Sequence, residues 1–143
     1  MHDERCFCIL SASNCIPQSF ATSGLDEIAI GGETAVAELK NGDIHQYRIT
    51  AQELGISKYT DQEIKAALNA TSIDESKNRI HSALANEPGP ARDIVALNAA
   101  GALLAADVVG DWQSGLDLAF KVIASGAAKQ KLDAFVTTTQ SIA

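Results

Sequence analysis

From residue 26 onward the apolar positions recur first every second residue and later every third or fourth. Ile28 and Ile30 alternate as in a strand that follows the Ser23-Gly24-Leu25-Asp26-Glu27 stretch. Gly31-Gly32 then breaks or bulges that strand. Thr34 to Leu39 reads as a second strand, with Val36 its strongest strand former. Asn41-Gly42 marks a hairpin, because both central positions of a type I′ turn need positive φ. Ile44, Tyr47 and Ile49 form the returning strand, with His45 and Arg48 facing solvent. The pattern thus predicts three strands within residues 26–50.

Helical signals follow. Thr50-Ala51-Gln52-Glu53 is a capping box that opens one helical turn, stopped at Gly55. Thr60 to Glu63 repeats the device ahead of Ile64 to Leu68, and Ser72 to Glu75 repeats it again. Ile73, Ile80 and Leu84 share a face of the helix after Ser72, which ends before Pro88-Gly89-Pro90. Pro90 suits a first helical position. The run from Ile94 to Ala106 is apolar almost all round, which predicts the most buried helix of the chain. Asn98 interrupts it and needs hydrogen-bond partners, since an unpaired buried amide costs about 1–3 kcal/mol. Gly110 ends this helix and Asp111 caps the next, whose stripe is Leu116, Ala119, Phe120 and Ile123. Trp112, at its start, reads as a packing residue. Gly126 marks a further break with Ser125 as a cap, and the last helix packs through Leu132, Phe135 and Val136. Four or more helices are expected between residues 60 and 140.

Composition narrows the class. With 143 residues, 46% hydrophobic and 20% charged, the chain is one folded domain with a core of its own. A net charge of −7 argues against a general nucleic-acid or anionic-membrane surface. It leaves room for a phosphate substrate, because a bound Mg²⁺ reverses the local sign of charge. No apolar run approaches the roughly 20 residues that span a bilayer. Cys6 to Ala12 lacks the basic start of a secretory signal, so a cytoplasmic protein is expected. Cys6, Cys8 and Cys15 are an odd set with no fourth ligand at zinc-like spacing, and read as free thiols. Pro17 interrupts residues 1–23, in which neither a strand nor a helix period fits cleanly.

Asp26 and Glu27 are the candidate chemistry. Adjacent carboxylates after a conformationally permissive Gly24, on a loop at a strand's edge, suit a hard cation such as Mg²⁺; equally, they solvate a strand end. The alternatives separate when the rest of the chain is considered. Gly24-Leu25-Asp26-Glu27-Ile28, Thr34 to Leu39, Asn41-Gly42, Gly89-Pro90-Ala91-Arg92-Asp93, Leu97-Asn98-Ala99-Ala100 and Ser125-Gly126-Ala127-Ala128-Lys129 occur in one order. Together they make residues 24–143 resemble the C-terminal part of anthranilate phosphoribosyltransferase, with residues 1–23 unmatched.

That resemblance implies an α/β fold. It would be the C-terminal portion of a nucleoside phosphorylase/phosphoribosyltransferase-like domain, a strand hairpin followed by several packed helices. It implies transfer of phosphoribosyl from phosphoribosyl pyrophosphate to anthranilate, in tryptophan biosynthesis. Asp26 and Glu27 match the acidic pair that holds Mg²⁺ near the pyrophosphate in that family, and no other position carries over with a defined role. Family enzymes are more than twice this length, and their Gly-rich phosphate loop and most of the anthranilate pocket have no counterpart here. Gly31-Gly32-Glu33-Thr34 shares some of that loop's composition but stands in another place. No catalytic residue is therefore assigned, and the chain alone is expected to be inactive. Two further readings stand beside it. One is a non-catalytic remnant, or a self-associating module, of the same fold. The other is a pyrimidine nucleoside phosphorylase-like enzyme, against which Gly89 to Asp93 and Leu97 to Ala100 speak. A truncated gene product and a divergent entry to the domain explain residues 1–23 equally.

Overall fold

The computed structural model describes residues 7–8, 18–21, 27–40 and 42–142. Its described residues form a four-stranded antiparallel sheet in the order β1 (Phe7–Cys8), β2 (Gln18–Ala21), β3 (Glu33–Lys40), β4 (Asp43–Thr50). Five helices follow: α1 (Asp61–Leu68), α2 (Ile73–Leu84), α3 (Pro90–Ala105), α4 (Trp112–Ala124) and α5 (Ala127–Ile142). The mixed α/β class, the hairpin and the helical second half are as expected.

β3 and β4 pair without a slip from Glu33↔Thr50 to Lys40↔Asp43, leaving a two-residue connection. Gly42 takes φ +89° there, and Asn41 lies outside the described residues. Side chains directly opposite one another share a face. Thr34, Val36 and Glu38 of β3, with Ile49 and the half-buried Tyr47 of β4, therefore form the face that meets the helices. Trp112 Nε1 donates to Tyr47 Oη at 2.9 Å, and Tyr47 Oη donates to Glu38 Oε2 at 3.2 Å. Trp112 is thus the packing residue expected of it, tied to the sheet by its one polar atom.

The core lies between this face, the segment 28–30, and helices α3 and α4. α3 buries seven residues, among them Leu97, Ala100 and Leu104, and is the most buried helix, as its all-round apolar pattern predicts. Gly115 of α4 meets Ala100 of α3, where an added Cβ would stand 3.0 Å from the Ala100 carbonyl oxygen. That contact sets how close the two helices come.

Three expectations need correction. Ile28 to Ile30 is not a strand, so residues 26–50 hold two strands among those described. All three residues, Ile28, Ala29 and Ile30, are buried, which no alternating pattern allows. Their backbone groups bond to side chains rather than to a neighbouring strand. Residues 1–23, which show no period, contribute β1 and β2; β2 pairs with β3 from Gln18↔Ala37 to Ala21↔Thr34. Finally, the apolar stripes of α2 and α5 remain largely uncovered. Ile73 is 88% exposed, Ile80 50%, Phe135 64% and Val136 41%. The pattern gives the stripe, but its burial depends on a neighbour, and none among the described residues covers these two helices on that side.

The capping boxes at Thr60 and Thr50 are as the sequence predicts, and the one at Ser72 is only half formed. Thr60 and Glu63 form a reciprocal box at the start of α1. At α2 the pairing is split: Ser72 accepts from Glu75 N, while the Glu75 carboxylate accepts from Thr71 N and Oγ1. Thr50 and Glu53 bracket a single turn that ends at Gly55 with φ +82°.

Candidate functional site

The stretch proposed for chemistry is the loop that enters β3. Asp26 lies outside the described residues, and Glu27 is exposed at its start. From Glu27 the chain dives into the core, and three side chains hold its backbone. Asn98 Oδ1 accepts from Ile28 N at 2.9 Å, and Asn98 Nδ2 donates to Ile28 O at 3.1 Å. Thr34 Oγ1 accepts from Ala29 N at 3.1 Å, and Gln52 Nε2 reaches Ile30 O at 3.5 Å. Asn98 also donates to Ile94 O at 3.0 Å within its own helix. Its carboxamide therefore has partners for both amide hydrogens and for its oxygen, and only one orientation satisfies them. Asn98 has the structural role expected of it.

The Ile28 side chain is seated beside the same helix. A Cβ built on Gly101, one turn after Asn98, would stand 2.5 Å from Ile28 Cδ1 and 3.3 Å from two atoms of the Trp112 ring. Gly31 is similarly close to Ile64, at 2.7 Å for an added Cβ. Gly32 follows with φ +80°, a conformation that favours glycine, and turns the chain into β3. Glu27 thus projects from a short loop whose next three residues are pinned.

Among the described residues no three histidine, cysteine, aspartate or glutamate side chains converge on one point. No metal cage is built from them. An exposed carboxylate on a pinned loop suits a different mode of binding. Mg²⁺ usually keeps several waters and takes one or two carboxylates together with substrate phosphates. Glu27, with Asp26 beside it in sequence, fits that mode.

A second polar cluster was not anticipated as a unit. Asp93 is 3% exposed; its Oδ2 accepts from Tyr59 Oη at 2.7 Å and its Oδ1 from Arg92 Nε at 2.8 Å. The Arg92 guanidinium also lies 5.0 Å from the centre of the Phe120 ring. Burial, and then the Asp93 carboxylate beside it, push the Tyr59 hydroxyl up to about 12. The cluster ties the loop before α1 to the first turn of α3 and to α4, and all its groups are engaged, so it reads as a fastening. A recess of about 330 Å³ at the far end of α3 is lined by Glu38, Lys40, Leu104 and Asp107 to Gly110, and does not include Glu27. Cys6 and Cys15 lie outside the described residues, and Cys8 stands in β1.

Comparison with known proteins agrees with this architecture. Residues 18–129 match the model of the glycosyl transferase family, a/b domain. The anthranilate phosphoribosyltransferase of Polynucleobacter necessarius subsp. necessarius is 43% identical over 122 residues, covering 85% of this chain and 35% of that enzyme. The enzyme of the same name from Laribacter hongkongensis is 45% identical over 120 residues, covering 84% of this chain and 34% of its own. Among solved structures, anthranilate phosphoribosyltransferase from Thermus thermophilus superposes with a TM-score of 0.66 at 30% identity, over 80% of this chain and 32% of that one. The Saccharomyces cerevisiae enzyme in complex with PRPP and Mg shares the fold, with a TM-score of 0.71 at 18% identity over 86% of this chain and 34% of that one. The chain spans about a third of the length of these relatives and corresponds to their C-terminal part. On the match over residues 18–129, it belongs to the glycosyl transferase family, within that family's a/b domain.

Proposed function

We propose that residues 24–143 serve as the C-terminal part of an anthranilate phosphoribosyltransferase, acting in tryptophan biosynthesis in the cytoplasm. The observation that carries this reading is identity of 40–45% to enzymes of that name over most of the chain. The substrates are phosphoribosyl pyrophosphate and anthranilate. Asp26 and Glu27 hold Mg²⁺ at the pyrophosphate, and the ion supplies neutralisation of the leaving group when bound. The chain's own contribution is to present Glu27, with Asp26 beside it in sequence, from a loop whose next three residues are held by Asn98, Thr34 and Gln52. No helix among the described residues is long and apolar enough to cross a membrane.

Phosphoribosyl transfer depends on holding both reactants in line, and effective molarities on the order of 10⁵ M or more are at stake. By resemblance, the phosphate loop and most of the anthranilate pocket belong to parts of the enzyme that these 143 residues do not span. The chain alone is therefore expected to give no useful turnover. The test is fluorescence loss from anthranilate, with the chain alone and with the N-terminal part of a related enzyme added. Turnover on mixing, abolished by Asp26→Ala with Glu27→Ala, is the expected result; substantial turnover by the chain alone would overturn the reading. Self-association is a second reading, favoured by the uncovered Ile73, Ile80 and Phe135. A sedimentation profile that stays monomeric at high concentration removes it.

A further inference from the structure

We propose that the outer half of α5, Ala134 to Ile142, is the surface on which the N-terminal part of an anthranilate phosphoribosyltransferase packs. This inference rests on the reading of the chain as the C-terminal part of that enzyme, and names the surface through which the two parts meet.

α5 carries one seam along its whole length. Ala128, Leu132, Phe135, Thr139 and Ile142 are spaced four, three, four and three residues apart, the interval that keeps side chains on one face of a helix. The inner end of this seam is seated. Ala128 and Leu132 are half-buried, and α5 touches α4 and α2. The outer end is bare: Phe135, Thr139 and Ile142 continue the same face and are all exposed.

Two further features suit the outer half to being covered. No charged residue stands between Ala134 and Ile142, although 20% of the chain is charged. Depletion of charge is the compositional mark of an interface core. The hydroxyls of this half, moreover, are already satisfied inside the helix. Thr137 Oγ1 donates to Asp133 O at 2.9 Å and Thr138 Oγ1 to Ala134 O at 2.9 Å. Thr139 Oγ1 lies within reach of Phe135 O and Val136 O, and Ser141 Oγ donates to Thr138 O at 2.8 Å. Burying a hydroxyl is costly when its hydrogen bond is lost, and here no hydroxyl donor would be stranded. Gln140 lies about 100° round the helix from Thr139, off the seam, where a polar rim can hold it.

Area and charge select the occupant. The outer half is roughly 13 Å of helix, and its bare seam is Phe135, Thr139 and Ile142. That is far short of the ~800 Å² per partner that a stable free-standing interface takes. Two copies of this chain, each with a net charge of −7, also repel one another. A small seam is enough where the partner belongs to the same polypeptide, because docking then costs no translational or rotational freedom. The relatives present that case. This chain covers 35% of the Polynucleobacter enzyme and 34% of the Laribacter enzyme, so most of each polypeptide is joined covalently to the matched part. The surface that meets α5 is then apolar and uncharged, as the seam is.

The test joins residues 24–143 to the Laribacter hongkongensis enzyme in place of its own matching part, which gives a chimera of full length. Hydrogen exchange at the amides of residues 134–142 is measured in the chimera and in the chain alone. The expected result is exchange at least about 10-fold slower in the chimera. Phe135→Lys sets a charge in the seam at a side chain exposed in the chain alone. It should abolish the slowing in the chimera and leave exchange in the chain alone unchanged. Thr137→Lys, on the opposite face of α5, is the control and should keep the slowing. Turnover of anthranilate by the chimera reports separately on the enzyme reading. Turnover with residues 134–142 exchanging as fast as in the chain alone, or an equal loss of protection in Thr137→Lys, overturns the docking while the enzyme reading stands. Protection that depends on Phe135 without turnover keeps the docking and overturns the activity. Neither protection nor turnover overturns both. Protection that appears in the chain alone and grows with its concentration assigns the seam to a second copy and overturns the proposal.

Discussion

α3 and α5 each contain 16 residues, yet α3 buries seven of them and α5 none. Both carry apolar side chains at helical spacing. What separates them is company. α3 is touched by α1, α2 and α4 and receives the loop at Ile28, whereas among the described elements α5 rests chiefly on α4 and α2. Thr137, Thr138 and Thr139 of α5 turn their hydroxyls back to carbonyls of their own helix. A helix in a protein draws most of its stability from the face it buries. The comparison teaches that the candidate site is built where the molecule is densest, on the helix least able to yield.

The largest expected effect follows directly. Leu97→Ala, at a side chain 1% exposed, should cost about 2–5 kcal/mol by urea denaturation. Phe135→Ala on α5, at 64% exposed, should stay within about 0.5 kcal/mol. Equal losses would mean that α5 is covered in solution, and the contrast between the two helices would collapse.

A smaller effect sharpens the contrast inside the core. Gly115→Ala drives a Cβ to within 3.0–3.2 Å of Ala100, two of those atoms being backbone. α3 and α4 must part by a few tenths of an ångström, which should cost about 1–3 kcal/mol. Gly110→Ala meets nothing within 4 Å and serves as the control. A neutral Gly115→Ala would show that the helix crossing relaxes more readily than a dense core should.

Tyr59→Phe tests the fastening of α3 to the loop before α1. Losing a hydrogen bond to the buried Asp93 carboxylate should cost about 1.5 kcal/mol at neutral pH. The sign at high pH is separate. The folded Tyr59 hydroxyl holds its proton up to about 12, above the ordinary value of 10.0. The unfolded chain releases that proton first, so the wild type loses this stabilisation as pH rises through that window. The Phe variant should lack that alkaline loss, as denaturation midpoints taken at a series of pH values will show.

How far the sequence foretold these features depends on the range of the interaction. Asn41-Gly42, Pro90 and the acceptors Thr60, Ser72 and Asp111 act on residues within one turn, and the hairpin and helix starts appear where they mark them. The need of Asn98 for partners was legible, because an amide on an apolar helix must be satisfied. Which partner was not, since Ile28 lies 70 positions away. The same distance explains why Ile28 to Ile30 looked like a strand: two apolar residues around a small one fit alternation, and nothing local reveals bonds to Asn98, Thr34 and Gln52. β2 was missed because its pairing with β3 is set by register across the sheet, while Gln18 to Ala21 has no period of its own. Of the site, the family pattern pointed to Asp26 and Glu27. The structure adds the exposed position of Glu27 and the Asn98 hydrogen bonds behind it.

The smallest effect concerns the helix starts, and it divides them by the same criterion as the helices themselves. Glu63, Glu75 and Asp111 are all held below the usual carboxylate range, first by backbone hydrogen bonds at their caps. Where a folded carboxyl titrates below its unfolded value, the unfolded chain binds the proton first. The stabilisation is then fully present above the unfolded values, about 3.9 for Asp and 4.3 for Glu, and is lost as pH falls through the lower folded ones. Asp111→Asn keeps an acceptor for Ser114 N without a titrating proton. It should lower stability slightly at neutral pH and flatten the decline on acidification, so that the two curves converge at acid pH, once the folded Asp111 carboxyl is protonated. Because α4 belongs to the core, this change should appear in global urea denaturation. Glu63→Gln caps α1, which buries no residue, so its effect should appear as faster hydrogen exchange within Asp61–Leu68 while the global midpoint barely moves. If Glu63→Gln instead shifted the global transition as much as Asp111→Asn, α1 would unfold together with the core, and the division between densely packed and lightly held helices would have to be redrawn to include it.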